Sequence, residues 1–277
     1  MPSMNYKEYI KTEKLPVFWC AGCGDGIVLQ ILARSFSELE LEPNEITVVT
    51  GIGCWGKADD YIRTNSFHGT HGRALGFATG IKLGNPKLKV LALMGDGDGV
   101  TIGGNHFIHA ARRNVDVTAI IVNNFNYGMT GGQYSGTTPE HAFTSTSPCG
   151  HLEEQFDICS LAMAAGAPYV ARGTVMNPMA TKHLVKQAIS KTGFSVVEIL
   201  SPCPSQFGRR NGMESSYELM EWIQNQCVSV EQVKEMNEDA IKNKFVVGRL
   251  CDREKTDYST KYTQLADSLS LRGAGDE

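Results

Sequence analysis

Two sets of residues in this chain carry chemistry by their type and spacing. The first is Gly95-Asp96-Gly97-Asp98-Gly99, followed further along by the pair Asn123-Asn124. A hard divalent cation takes oxygen ligands in an octahedron and needs only a few from protein when phosphates supply the others. Asp96 offers a carboxylate, Asn124 an amide oxygen, and a residue just after Asn124 a backbone carbonyl. Gly95, Gly97 and Gly99 let the main chain approach a diphosphate and aim N–H groups at it. A glycine-flanked Asp alone is equally well a tight turn after a strand. The asparagine pair at the end of the next strand turns the reading toward a metal–diphosphate loop.

The second set is four cysteines. Cys20 and Cys23 form a C-x-x-C between Trp19 and Gly24, Cys54 lies in Gly51-Ile52-Gly53-Cys54-Trp55-Gly56, and Cys203 lies in Ser201-Pro202-Cys203-Pro204. A redox disulfide needs only the C-x-x-C. A structural zinc site shows two close pairs, whereas here one pair meets two singletons. An iron–sulfur cubane takes four thiolates and tolerates this spacing, and unrelated buried cysteines are the bland reading. Residue types and spacing leave these open. Cys149, Cys159, Cys227 and Cys251 lack comparable context and read as core or surface filling.

The elements that must position these residues follow from periodicity. Residues 25–39 repeat apolar side chains at helical spacing, and residues 45–50, 87–94 and 116–122 read as short buried strands. Helices are expected over 69–84 and 104–113, then over 153–169 and 178–191, with strands at 169–171 and 195–200. This alternation predicts an α/β fold with a doubly wound, mostly parallel sheet. Such sheets bind ligands beyond the carboxyl ends of their strands, where both residue sets fall. Residues 1–212 read as one binding domain. Residues 213–277 read as a more charged, helical or irregular extension, a cap or subunit contact whose last dozen residues fray.

Composition sets the class. The chain has 277 residues, 42% of them hydrophobic, and a net charge of −4, so the cationic footprint of a nucleic-acid binder is missing. No apolar stretch is long enough to span a bilayer, and the first residues have no signal-peptide core. A cytoplasmic protein is expected, in which eight cysteines serve as ligands or fillers rather than disulfides.

The segments WCAGCGDG, IGC, HGTHGRALGFATG, GDGDGVTIGGNHFIHAARRN, VNNFNYGMTGGQYSGTTP and SPCPSQFGRRN, in that order over residues 17–212, resemble the β subunit of 2-oxoacid:ferredoxin oxidoreductases. The resemblance implies a thiamine-diphosphate-binding (PP-type) domain with Mg²⁺ on Asp96, Asn124 and the main-chain oxygen of Asn126. It implies a [4Fe–4S] cluster on Cys20, Cys23, Cys54 and Cys203. Implied cofactor contacts are Ile52, Gly53, Cys54 and Trp55, then Gly95, Gly97 and Asp98, then Gly128, Met129 and Thr130. Thr130-Gly131-Gly132-Gln133 looks most like the 2-oxoglutarate members. The implied reaction is oxidative decarboxylation of 2-oxoglutarate with coenzyme A to succinyl-CoA and CO₂, electrons leaving singly through the cluster to ferredoxin, with reverse carboxylation allowed. Pyruvate or a branched-chain 2-oxoacid is the alternative substrate.

Three further side chains are candidates at the reaction centre. Lys57 is a possible partner for the distal carboxylate of 2-oxoglutarate, against a solvated loop lysine. Met129 shapes the pocket or merely packs. His71 donates to phosphate or passes protons, against a capping or packing role. Arg209 and Arg210 face an acidic ferredoxin or coenzyme A, or simply solvent. Thiamine enzymes of this kind also use a second domain that grips the aminopyrimidine. That implies an α subunit and a heterodimer or a dimer of heterodimers. The rivals are a thiamine decarboxylase or transketolase relative with incidental cysteines, and a non-enzymatic iron–sulfur electron-transfer module.

Overall fold

Runs rich in β-branched and apolar residues, buried at every position, form the interior strands of a sheet covered on both faces. Ile46–Thr50 (β1), Thr118–Asn123 (β4), Tyr169–Thr174 (β5) and Ser195–Leu200 (β6) are of this kind. In the computed structural model, which describes residues 4–242 and 244–273, they join Asn65–His68 (β2), Lys89–Gly95 (β3), Cys227–Ser229 (β7) and Phe245–Asp252 (β8). The order is β2-β1-β3-β4-β6-β5-β8-β7. Pairing is parallel except between β5 and β8.

Alternation along the strands sends side chains to two cores. On one face Val48, Leu91, Leu93, Ile120, Val122 and Val197 pack under α1 (Asp25–Glu38) and α5 (Pro178–Ser190). On the other, Val90, Ala92, Met94, Ala119, Ile121 and Val196 pack under α2 (Ala74–Gly84), α3 (Gly104–Arg113) and α4 (Ile158–Ala164). No helix among the described residues is long and apolar enough to cross a membrane.

The structure departs from the periodicity in four places. The expected helix over 69–84 starts only at Ala74, because Gly69–Arg73 is a loop in which Gly72 takes a positive φ of 72°. The helix expected over 153–169 runs only Ile158–Ala164; the Asp157 side chain caps it by accepting from Ser160 N, and a helix cannot begin before its cap. Strand β2 is an exposed edge with no apolar alternation to announce it. The segment after residue 212, read as helical or irregular, contains α6 (Ser216–Gln226), α7 (Val230–Val233), α8 (Glu238–Ile241) and α9 (Tyr258–Gly273), and it also adds β8 and β7 to the sheet. The register shift between Val170 and Ala171, with Gly248 at φ 128°, breaks the period-two signal of β8. Helix α9 spans Tyr258–Gly273, and residues 274–277, among the last dozen expected to fray, lie outside the described residues.

A third, smaller core ties this C-terminal segment to the end of β4. Phe125 is buried with a left-handed φ of 65°, an uncommon conformation for a bulky residue. Three rings hold it: Phe207 at 5.4 Å, Trp222 of α6 edge-on at 5.6 Å, and Phe245 of β8 at 5.6 Å between centroids. Phe245→Ala should cost roughly 3 kcal/mol of stability and loosen the turn from Asn124 to Tyr127, read as faster amide exchange there. Phe194→Ala, which opens a cavity at the opposite end of β6, should leave that exchange unchanged. Equal loosening by both would show that the ring cage does not hold the turn.

Candidate functional site

The carboxyl ends of β1, β3 and β4 open onto a cavity of ≈ 90 Å³. The chain leaves β1 outward to β2 and returns on the other side as β3, so the cavity sits where the winding direction reverses, the usual ligand position in such sheets. Of the residues expected from the sequence, Ile52, Gly53, Cys54, Trp55, His71, Gly95, Asp96, Gly97, Asn124, Asn126, Gly128, Met129 and Thr130 all line it. Asp98 lies just behind it. Lys57 is not among the lining residues, and its Nζ pairs with Asp60 Oδ2 at 2.6 Å.

Asp96 is 1% exposed, and Ser135 Oγ (2.5 Å) and Thr137 Oγ1 (2.7 Å) donate to its Oδ2. Burial pushes its carboxyl up to about 6, against the downward pull of those two hydroxyls. Ser135 and Thr137 are partners of Asp96 that spacing did not reveal; the sequence sign is the hydroxyl-rich run Ser135-Gly136-Thr137-Thr138. Asp96 Oδ1 faces the Asn124 side chain. The left-handed turn at Phe125 folds the chain back so that the Asn124 amide end lies 2.8 Å from the Asn126 carbonyl oxygen and 3.3 Å from Asp96 Oδ1.

The Asn124 amide has two orientations. With nitrogen inward it donates to both oxygens. With oxygen inward, three oxygens face one another, relieved only by a 3.4 Å contact from Asn126 Nδ2. Neighbouring ligands around an octahedral Mg²⁺ with 2.0–2.1 Å bonds stand about 2.9 Å apart, close to the spacing found here. The donor set therefore fits a small hard cation. At Gly97 a Cβ would come within 2.2 Å of the Tyr127 ring, whose hydroxyl donates to Gly97 O at 3.2 Å, so only glycine lets the loop sit there.

Asp98 organises the neighbouring wall. Its Oδ1 accepts from Gly72 N (2.6 Å) and Ile52 N (3.3 Å) and lies 2.6 Å from His71 Nδ1. A proton on Nδ1 facing that carboxylate leaves Nε2 as the free ring nitrogen. Asp98 Oδ2, Asn126 Oδ1 and Trp55 Nε1 are buried without hydrogen-bond partners. Buried polar atoms are rarely left so, and their concentration at this end of the sheet marks where a polar ligand belongs.

The four cysteines form the adjoining wall. Cys54 lines the cavity itself, and a Cβ on Gly128 would stand 3.4 Å from Cys203 Sγ, so the thiols and the metal loop are in close contact. Burial first, then the Asp25 carboxylate, pushes the Cys54 thiol up to about 12 and Cys23 well up. Cys203 acts on both thiols and Cys20 on Cys54, placing all four sulfurs in one electrostatic neighbourhood. Among the described residues no three His, Cys, Asp or Glu side chains converge on a single-ion site. Asp25, at the start of α1 and fully buried, has its carboxyl pushed up to about 7 by desolvation beside these thiols; in sequence it falls within WCAGCGDG.

Comparison with known proteins gives concordant results. The family described as "Thiamine pyrophosphate enzyme, C-terminal TPP binding domain" matches residues 51–199. The 2-oxoglutarate synthase subunit KorB of Methanothermobacter thermautotrophicus is 43% identical over 267 residues, covering 96% of this chain and 93% of that one. The KorB subunit of Archaeoglobus fulgidus is 54% identical over 200 residues, covering 72% and 74%. The structure of 2-oxoglutarate:ferredoxin oxidoreductase from Magnetococcus marinus, with 2-oxoglutarate, coenzyme A and succinyl-CoA bound, superposes with a TM-score of 0.86 at 28% identity, covering 98% of this chain and 92% of that one. With more than 40% identity over most of its length and the same fold, the chain belongs to the family of 2-oxoacid:ferredoxin oxidoreductase β subunits.

Proposed function

We propose that this chain is the thiamine-diphosphate- and cluster-bearing subunit of an enzyme that oxidatively decarboxylates 2-oxoglutarate with coenzyme A and passes electrons to ferredoxin. The observation that carries the reading is a single juxtaposition. Three oxygens set for a divalent cation share a cavity with Cys54, one of four clustered thiols. A diphosphate cofactor and an electron acceptor would thus lie side by side.

Asp96, Asn124 and the Asn126 carbonyl would hold Mg²⁺ against the diphosphate, while Cys20, Cys23, Cys54 and Cys203 would hold a [4Fe–4S] cluster. Bound there, thiamine diphosphate supplies a nucleophilic carbon and an electron sink for decarboxylation, and the cluster supplies one-electron acceptance. The protein's part is placement. Asp98 fixes the His71 ring and turns the Ile52 and Gly72 amides, so that Nε2 of His71 is available to donate to, or take a proton from, a group in the cavity. Met129, 43% exposed, forms an outer edge of the cavity that substrate would meet. Lys57 is the cation proposed for the distal carboxylate of 2-oxoglutarate; serving it requires Nζ to leave Asp60.

The cavity is also small. At ≈ 90 Å³ it lies below the ~300–1,000 Å³ of sites that enclose a drug-sized ligand. An α subunit carrying the pyrimidine-binding domain would close the rest of the site, which accords with the relatives being named as subunits.

Asp96→Ala should abolish thiamine diphosphate retention while leaving the visible cluster spectrum intact; a variant with normal thiamine content would refute the metal assignment. In the cation-free protein the Asp96 pKa is raised, so the carboxyl is protonated below about 6. Mg²⁺ must then displace that proton, and affinity should fall about tenfold per pH unit below this point. Calorimetry in two buffers should find proton release approaching one per site at low pH and vanishing above 7; release independent of pH would contradict the linkage. Expressed alone, the chain should show no 2-oxoacid decarboxylation, and adding the α subunit should restore it. Full activity from the isolated chain would overturn the split-site reading.

A further inference from the structure

The four thiols differ in exposure: Cys20 is exposed, Cys23 and Cys54 are intermediate, and Cys203 is buried. A cluster held by them would meet solvent at its Cys20 corner. One side chain reaches that corner from far away in sequence: Ser205 Oγ lies 3.4 Å from Cys20 Sγ. Between a thiol and a hydroxyl either atom can donate. Iron-bound Cys20 is a thiolate with no proton, so there Ser205 must be the donor. The hydroxyl is held in place by the helical turn Pro204–Gly208, which directly follows Cys203 and is closed by Gly208 N donating to Cys203 O at 3.0 Å. One short loop therefore supplies a ligand and a hydrogen bond to another ligand.

We propose that Ser205 is a positioning residue that sets the reduction potential of the cluster by donating a hydrogen bond to the Cys20 thiolate. The inference rests on the cluster reading above. Hydrogen bonds to cluster sulfurs and solvent exposure are principal determinants of iron–sulfur potentials. An added electron places more negative charge on the sulfurs, so a donor stabilises the reduced form more than the oxidised one and raises the potential. Ser205 acts at the exposed corner, where an external electron carrier would make contact.

The test is an anaerobic redox titration of the cluster by electron paramagnetic resonance in the complex of both subunits, comparing wild type, Ser205→Ala and Ser205→Thr. Iron content is measured for each. Ser205→Ala should keep its iron and titrate at a lower midpoint potential, and Ser205→Thr, which keeps the hydroxyl, should return close to wild type. An unchanged or higher midpoint in Ser205→Ala overturns the proposal, as does an equal shift in both variants, which would mean a packing effect. A wild-type complex devoid of iron would instead overturn the cluster reading itself, and the iron analysis tells the two failures apart.

Discussion

The site is built around one unfavourable group, a carboxylate at the dry end of an apolar sheet. Ionising Asp96 in this structure, with its pKa raised from 3.8 to about 6, costs roughly 3 kcal/mol. Two hydroxyls lower that cost without removing it, because neutral donors solvate a charge and do not cancel it. A divalent cation does cancel it. The Asn124 amide, standing between Asp96 Oδ1 and the Asn126 carbonyl, can donate to both of those oxygens.

Holding that ligand set requires a backbone conformation that Phe125 does not adopt readily. The C-terminal segment supplies the constraint, through Trp222 on α6 and Phe245 on β8 packed against the Phe125 ring. The same small core includes Cys203, so one aromatic cluster braces both the Asn124–Tyr127 turn and Cys203. Residues beyond 212 thus take part in shaping the site while lying outside the motifs that identify it. A second brace runs beneath the sheet. Asn123 donates to Glu198 at 2.8 Å, and Glu198 is paired with buried Arg172 at 2.7 Å, linking β4, β6 and β5 directly below the turn.

Much of this was legible in the sequence because it depends on local rules. Fully buried parallel strands show as continuous apolar runs, and β1, β3, β4 and β6 appear as such. Ligand loops at strand ends need glycine for close approach, so the loop at Gly95–Gly99 announces itself. What stayed hidden depends on contacts between distant segments. Ser135 and Thr137 reach Asp96 from a long irregular loop, and no spacing rule ties them to it. Strand β2 is polar and exposed, and β8 is interrupted by a bulge, so neither carries a period. The short helical turn Trp55–Asp60 sets Asp60 beside Lys57, a pairing that sequence proximity to Cys54 does not announce, because a long, flexible side chain can point several ways.

The central claim is that one chain places a metal–diphosphate loop and a four-thiolate cluster against the same cavity. Cofactor stoichiometry of the two-subunit complex, purified without oxygen, tests it most directly. The account predicts about one thiamine diphosphate, one magnesium and four iron atoms for each copy of this chain, beyond any iron bound by the partner when that is assayed separately. A complex with thiamine but no iron on this chain, or with iron but no thiamine, would contradict it.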